Sequence, residues 1–367
     1  MRTYISLVVL AVMAWSPLFA QQSFTFEHDG LTRDYILYTP PGLEENAPLV
    51  FVLHGYTSAS NIIMAYSGMN AVANQNGFAV CYPQGTLDIT GTTHWDSNLS
   101  FTSVDDSGFL ASLAEYLQQT YNLDPGRTFS CGMSNGGFMS YTLACEQPEV
   151  FKAVASVTGT MSGYDWSNCG ESPVPVLQIS GSADQVVPVD GSMSTAGGWG
   201  GAPNIETVIG YWAEKLECSE ASSSTIEANY TTTVDEYTGC LDDNSVILYM
   251  IDGWGHSWPT TFSGTGFTAS EVIWTFFQSY KTQVTGVSTV DLQVEPIQLI
   301  NTLSETSISL EVRTDYLGKP FELLDLKGNR HLRGVLSDSK MLISTEGLTS
   351  GYYLFSVEGH SKRFIKL

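Results

Sequence analysis

The chain has 367 residues, with 38 acidic side chains against 15 basic ones and a formal net charge of −23 at neutral pH. A surface that acidic repels phosphate backbones and anionic headgroups, which makes nucleic acid and anionic membranes poor partners and sets nucleic-acid binding aside. Nine of the basic residues but only seven of the acidic ones fall in 311–367, so the length reads as two units of different surface chemistry.

Residues 1–20 put Arg2 ahead of an apolar run that Pro17 interrupts and Ala20 ends. This predicts a secretory signal peptide, because a span needs roughly 18 unbroken apolar residues and no stop-transfer charges follow. With no later candidate span, the expected product is secreted, either extracellular or attached to the cell surface.

From residue 22 a hairpin is expected, FTFEH then TRDYILYTP, followed by short apolar β runs that alternate with helix-period stretches. The runs LVFVLHG, FAVCYPQG, RTFSCGMS, AVASVTG, PVLQISGS and SVILYMIDG are the predicted strands. The predicted helices are SGFLASLAEYLQQTY, GFMSYTLACE, ETVIGYWAEKL and ASEVIWTFFQSYK. Alternation of this kind predicts an α/β fold with a mostly parallel sheet, helices on both faces and chemistry at one edge. After about residue 285 come short β runs and turns, SISLEVR, PFELLDLKGN, MLISTEGL, YYLFSVEG and KRFIKL, without helical periodicity. These predict a small C-terminal β-sandwich over 286–367, following a catalytic domain over 21–285.

Six cysteines in an exported chain allow fifteen pairings. Cys81 and Cys131 lie inside strand-like runs, where a buried thiol serves as a small hydrophobe. Cys145, Cys169, Cys218 and Cys240 lie near element ends, and the expected bridges are Cys145 with Cys169 and Cys218 with Cys240. Each closes a short loop and is worth roughly 2–4 kcal/mol. No Cys/His spacing suits zinc, so no metal is expected.

Gly132-Met133-Ser134-Asn135-Gly136 matches G-x-S-x-G between a predicted strand and a predicted helix, the setting that presents a nucleophilic serine. The alternative for such a stretch is a glycine-rich turn with a structural serine. A serine hydroxyl needs a base, commonly a histidine oriented by a carboxylate. Of six histidines only His256, His331 and His360 follow Ser134, and the last two belong to the basic β unit. His256, in the loop DGWGHSWP, is the predicted base. Asp184, in SGSADQVVP, is the predicted acid, while Asp190 before Gly191 suits turn capping. Backbone N–H groups of Asn135 and of Tyr56, after His54-Gly55, would form the oxyanion hole. His54 itself is expected to tie its loop without touching substrate. Asp105 and Asp106 read as helix caps. Tyr56, Trp95, Trp199, Trp254 and Trp258 form the expected aromatic rim, with Tyr56, Trp95 and Trp258 as substrate-binding residues.

In HGYTS, VDDSGFL, GMSNGG, LACEQPEVFKAVASVTG, SGSADQVVPVDG, the Cys218 to Cys240 pair and GHSWP, taken in order, residues 22–283 resemble the carbohydrate esterase family 1 and polyhydroxybutyrate depolymerase group of α/β-hydrolases. The resemblance implies a Ser-His-Asp triad, without metal or cofactor, on Ser134, His256 and Asp184. It also implies feruloyl or acetyl esters of plant polysaccharide as substrates, with a polyester as the alternative and a non-catalytic surface binding protein as the reading of another class. LLDLKGNR, LTSGYYLFSVEG and KRFIKL resemble the C-terminal sorting domain of type IX secretion substrates, implying export machinery as a partner. The proline-asparagine-proline start often seen in such domains is absent.

Overall fold

The computed structural model describes residues 22–99, 104–170, 174–195, 200–280, 297–299, 303–304, 306–312, 314–325, 329–357 and 360–366. The expected signal peptide, Trp199 and the expected linker near 283–290 lie outside the described residues. The chain divides into two compact units, Met1–Gln283 and Val284–Leu367.

The first unit is built on a ten-stranded sheet of β1 (Gln22–His28), β2 (Leu31–Tyr38), β3 (Leu49–Leu53), β4 (Ala79–Pro83), β7 (Thr128–Met133), β8 (Val154–Val157), β9 (Val176–Gly181), β10 (Glu220–Ile226), β11 (Thr232–Thr238) and β12 (Val246–Ile251). Its order is β1-β2-β4-β3-β7-β8-β9-β12-β11-β10. The six inner strands from β4 to β12 run parallel, and the two outer strands on each side are antiparallel. A two-stranded hairpin, β5 (Thr86–Leu87) with β6 (Thr93–His94), stands apart from this sheet.

The inner strands are apolar on both sides because both sides are covered. Val50 and Val52 pack with α1 (Ser60–Ser67), α2 (Met69–Asn76) and α7 (Ala269–Ser279). Leu49, Phe51 and Leu53, offset by one residue, pack with α3 (Asp106–Tyr121) and α4 (Asn135–Glu146). Farther along that second face, α6 (Ile205–Lys215) seals Val176, Val246 and Leu248. Cys131 belongs to the first of these cores and Cys81 to the second, so the sheet separates the two free thiols. Cys145 is bonded to Cys169 and Cys218 to Cys240.

The helix α5 (Gly163–Asn168) carries Asp165, a carboxylate only 2 % exposed. It accepts hydrogen bonds from Thr142 Oγ1 and Asn98 Nδ2, both at 2.7 Å. Burial pushes its carboxyl up to about 6, against the bonds that favour the ionised form. A raised carboxyl binds its proton more tightly when folded, so stability held at acid pH is lost as pH rises toward and through 6. An asparagine in place of Asp165 would still accept from Asn98 through its oxygen, while its amide donated to Thr142 Oγ1 and that hydroxyl kept its bond to Phe138 O. Asp165→Asn is therefore expected to stabilise at pH 7 by on the order of 1 kcal/mol and to bring little gain at pH 4. Thermal melts at the two pH values check this, and a lower melting temperature for the variant at pH 7 would refute it.

The second unit has a three-stranded sheet, β13 (Ile297–Leu299), β15 (Ser307–Val312) and β18 (Lys340–Ser344). A five-stranded sheet takes β14 (Leu303–Ser304), β20 (His360–Lys366), β19 (Gly351–Val357), β16 (Pro320–Asp325) and β17 (Arg330–Val335). Ile308, Leu310 and Ile343 of the first sheet share one core with Phe321, Leu323 and Phe355 of the second, a small sandwich.

Candidate active site

The parallel strands β3, β7, β9 and β12 all end at the same edge, and the predicted site residues follow them directly. Ser134 occupies the single position between β7 and α4, with φ 54° and ψ −121°. A non-glycine residue held there stores roughly 1–3 kcal/mol of backbone strain, and strain of this kind persists where its surroundings fix it. Ser134 N–H donates to Val157 O at 2.9 Å, and its carbonyl accepts from Gly137 and Phe138. Two glycines allow the close turn: a Cβ on Gly132 would strike the Gly136 backbone, and one on Gly136 would strike the Leu53 carbonyl oxygen. The helix α4 therefore starts hard against the end of β3. Ser134 is 8 % exposed.

Asp184 lies in the loop after β9. Its Oδ1 accepts from the N–H groups of Val186 (2.8 Å) and Val187 (2.9 Å). Its Oδ2 lies 2.7 Å from Nδ1 of His256, in the loop after β12. The loops are stitched together by Ser182 Oγ, which donates to Asp252 Oδ1 and accepts from Gly253 N, and by Ala183 N–H donating to Trp254 O. An imidazole whose Nδ1–H is held by a carboxylate keeps Nε2 as its basic nitrogen. The structure thus brings Asp184 and His256 together and sets Ser134 at the same sheet edge. Among the described residues, no hydrogen bond joins Ser134 Oγ to His256. Asp190 is exposed and accepts from Ser192 N–H within its own turn.

His54 is fully buried, and burial lowers its imidazole to about 4, so it is neutral at pH 7. Its Nδ1–H donates to Gly55 O (2.8 Å), and its Nε2 accepts from Gly85 N–H (2.9 Å). It fixes the loop that carries Tyr56 and touches no solvent. The Tyr56 hydroxyl donates to Asp88 Oδ2 at 2.7 Å, and Asp88 Oδ1 accepts from Thr90 and Thr92 to close the β5–β6 turn. The partly exposed Tyr56 ring is thereby braced by a hairpin that sequence patterning does not reveal.

Two of the expected substrate-binding residues are corrected by the structure. Trp95 and Trp258 are 0 % and 1 % exposed and present no surface to a ligand. The Trp95 indole N–H donates to His54 O (2.9 Å), while Trp258 lies in the core with α7, its Nε1 3.3 Å from Ser270 Oγ. A loop indole carries a large apolar area, and burial with its N–H satisfied is its more stable arrangement. Trp254 is partly exposed, with its Nε1–H donating to Ser257 O. Asp105 caps α3 as expected, accepting from Gly108 N–H. Asp106, expected to cap as well, is 1 % exposed and is turned instead to partners outside the helix: Oδ1 meets Arg33 at 2.6 Å, and Oδ2 accepts from Asp96 N–H at 2.7 Å. Among the described residues, the group close enough to share a metal ion is His28, Asp29 and Asp105. None of these is a candidate catalytic residue.

The fold is of α/β-hydrolase architecture, and its relatives make the chain an esterase-type hydrolase. Residues 33–225 match the family described as esterase PHB depolymerase, and the chain belongs to that family. It is 30 % identical over 247 residues to NocK of Nocardia uniformis subsp. tsuyamanensis, a protein provisionally named an esterase, covering 63 % of this chain and 72 % of that one. Feruloyl esterase C of Emericella nidulans is 27 % identical over 251 residues, 67 % of this chain and 84 % of the relative. The structure of an acetyl xylan esterase from Aspergillus awamori superposes with a TM-score of 0.50 at 17 % identity, over 71 % of this chain and 100 % of that one, and so shares the fold.

Proposed function

We propose that residues 21–285 form a secreted serine esterase that cleaves carboxylic esters through an acyl-enzyme. The observation that carries this reading is the 2.7 Å Asp184–His256 hydrogen bond between loops 72 residues apart, at the edge where Ser134 is held in its strained turn. His256 Nε2 takes the Ser134 proton as Oγ attacks the ester carbonyl. Asn135 and Tyr56 N–H groups receive the oxyanion, and the alcohol leaves with the proton from His256. Water then enters and attacks the acyl carbon as His256 takes its proton; the acid leaves as His256 returns that proton to Ser134 Oγ, which restores both groups. A binding protein without turnover would have no use for an imidazole oriented at the same sheet edge as a strained serine.

Feruloyl or acetyl esters of plant polysaccharide are the proposed substrates, in keeping with the feruloyl esterase relative. A polyester is the second reading. It draws on the family description and on Leu87 and Ile89, 60 % and 90 % exposed beside the Asp88 that braces Tyr56. The test compares release from methyl ferulate, acetylated xylan and a polyhydroxybutyrate film. Turnover of the first two but not the film supports the first reading, the reverse supports the second, and none at all refutes the esterase.

We also propose that 1–20 is a removable signal and that 286–367 is a sorting module read by export machinery. A chain of residues 21–285 is then expected to be soluble, keep nearly full esterase activity and melt within roughly 5 °C of the longer chain. A larger drop, or aggregation, would make the β unit part of the enzyme's fold.

A further inference from the structure

We propose that Trp95 is a positioning residue that locks the two oxyanion donors to each other; this rests on the acyl-transfer reading above. The donors come from segments far apart in the chain, Tyr56 after β3 and Asn135 at the start of α4. An oxyanion hole works only if both N–H groups point at one spot before charge develops, because reorienting them during the reaction would consume the stabilisation they give.

Trp95 contacts both segments. Its indole N–H donates to the carbonyl of His54, two residues before Tyr56, at 2.9 Å. Its backbone is clasped by the side chain of Asn135: Trp95 N–H donates to Oδ1 (2.7 Å), and Nδ2 donates to Trp95 O (3.0 Å). The same Nδ2 reaches Ser97 Oγ at 3.0 Å, so the carboxamide is held on both its atoms. Trp95, His54 and Asn135 are all 0 % exposed, and the Trp95 and His54 rings lie 5.0 Å apart. Water cannot replace these bonds, and each group left unpaired would carry its full desolvation cost.

The next residue anchors the clasp. Asp96 N–H donates to the buried Asp106, which is paired with Arg33, and Arg33 also donates to Gln84 O (3.3 Å). Gln84 Oε1 accepts from Ser60 N–H, beyond Tyr56, and Gly85 N–H donates to His54 Nε2. The buried ion pair thus holds the segments on both sides of the Tyr56 loop. Asn135 has two separate tasks, its backbone N–H facing the oxyanion and its side chain fixing that N–H relative to Tyr56.

The experiment compares the full chain with Trp95→Phe, which keeps an aromatic ring and removes the indole donor, and with Ser97→Ala, which removes one anchor of the carboxamide. Active sites are counted with a fluorophosphonate, so kcat is expressed per folded, reactive site. Trp95→Phe is expected to lower kcat per site roughly 10- to 100-fold, less than the roughly 10²–10³-fold for deleting a donor, with KM within about twofold. Affinity for phenylboronic acid, which forms a tetrahedral adduct, should fall in the same proportion. A residue that merely supports folding would lower the number of titrated sites and leave kcat per site unchanged, and that result overturns the proposal. If Trp95→Phe yields no titratable enzyme, Ser97→Ala decides: a several-fold loss in kcat per site upholds it, and an unchanged value refutes it. Failure of the underlying reading looks different, because fluorophosphonate would then label Ser134→Ala as well as the natural chain.

Discussion

Ser134→Ala is expected to fold normally and to turn over p-nitrophenyl acetate roughly 10⁴-fold or more slowly than the natural chain, since nucleophile, base and acid act as a unit. The fold should survive for a local reason. Backbone groups define the turn, through Ser134 N–H on Val157 O and the Gly137 and Phe138 amides on its carbonyl, and alanine retains all of them. Thermal unfolding should shift by no more than about a degree or two, because the change creates no cavity and strands no partner. A variant keeping more than about a tenth of the natural rate would remove Ser134 from the role of nucleophile. His331→Ala and His360→Ala serve as controls and should leave the rate unchanged. His331 Nε2 lies 3.1 Å from Asp325 Oδ2 in the C-terminal unit, and a large loss in either variant would mean that His256 is the wrong histidine.

Legibility in the sequence follows burial. The inner strands are apolar on both faces, and their runs stand out without any knowledge of their neighbours. The sheet's outer parts do not. β10 is EASSSTI, exposed along nearly its whole length, so no alternation marks it as a strand. α1 and α2 are eight residues each on either side of Gly68, too short to display a helical period. The site divides in the same way. Ser134 is marked by a local glycine pattern, and Asp184 and His256 by chain order, all of which can be read along one dimension. Trp95, Trp258 and Asp106 escape such a reading because their partners are remote: His54 O, Ser270 and Arg33 lie 41, 12 and 73 residues away. One signal does point to Asp106. Arg33 is one of only five basic residues in 21–310, set within a β run, and a lone arginine there calls for a buried carboxylate.

Asp184→Asn is expected to lower turnover by about 10³- to 10⁴-fold at pH 7, with Asp190→Asn remaining within about twofold of the natural chain. The difference follows from what each carboxylate accepts. Asp184 Oδ1 takes two backbone N–H groups, from Val186 and Val187, and only an oxygen can do so. An asparagine at 184 must therefore keep its oxygen there and turn its amide toward His256. That amide donates to Nδ1, so the imidazole carries its proton on Nε2, and Nε2 can no longer accept from Ser134. Geometry and stability are nearly preserved while the tautomer is inverted, so the loss should fall on kcat with little change in melting temperature. Asp190 is exposed and accepts from Ser192, through its N–H and its hydroxyl, bonds that an asparagine oxygen can also accept. Steady-state rates and thermal melts of the two variants check this together. Equal losses, or a larger loss at 190, would move the acid to Asp190 and leave the Asp184–His256 contact as a structural tie between two loops.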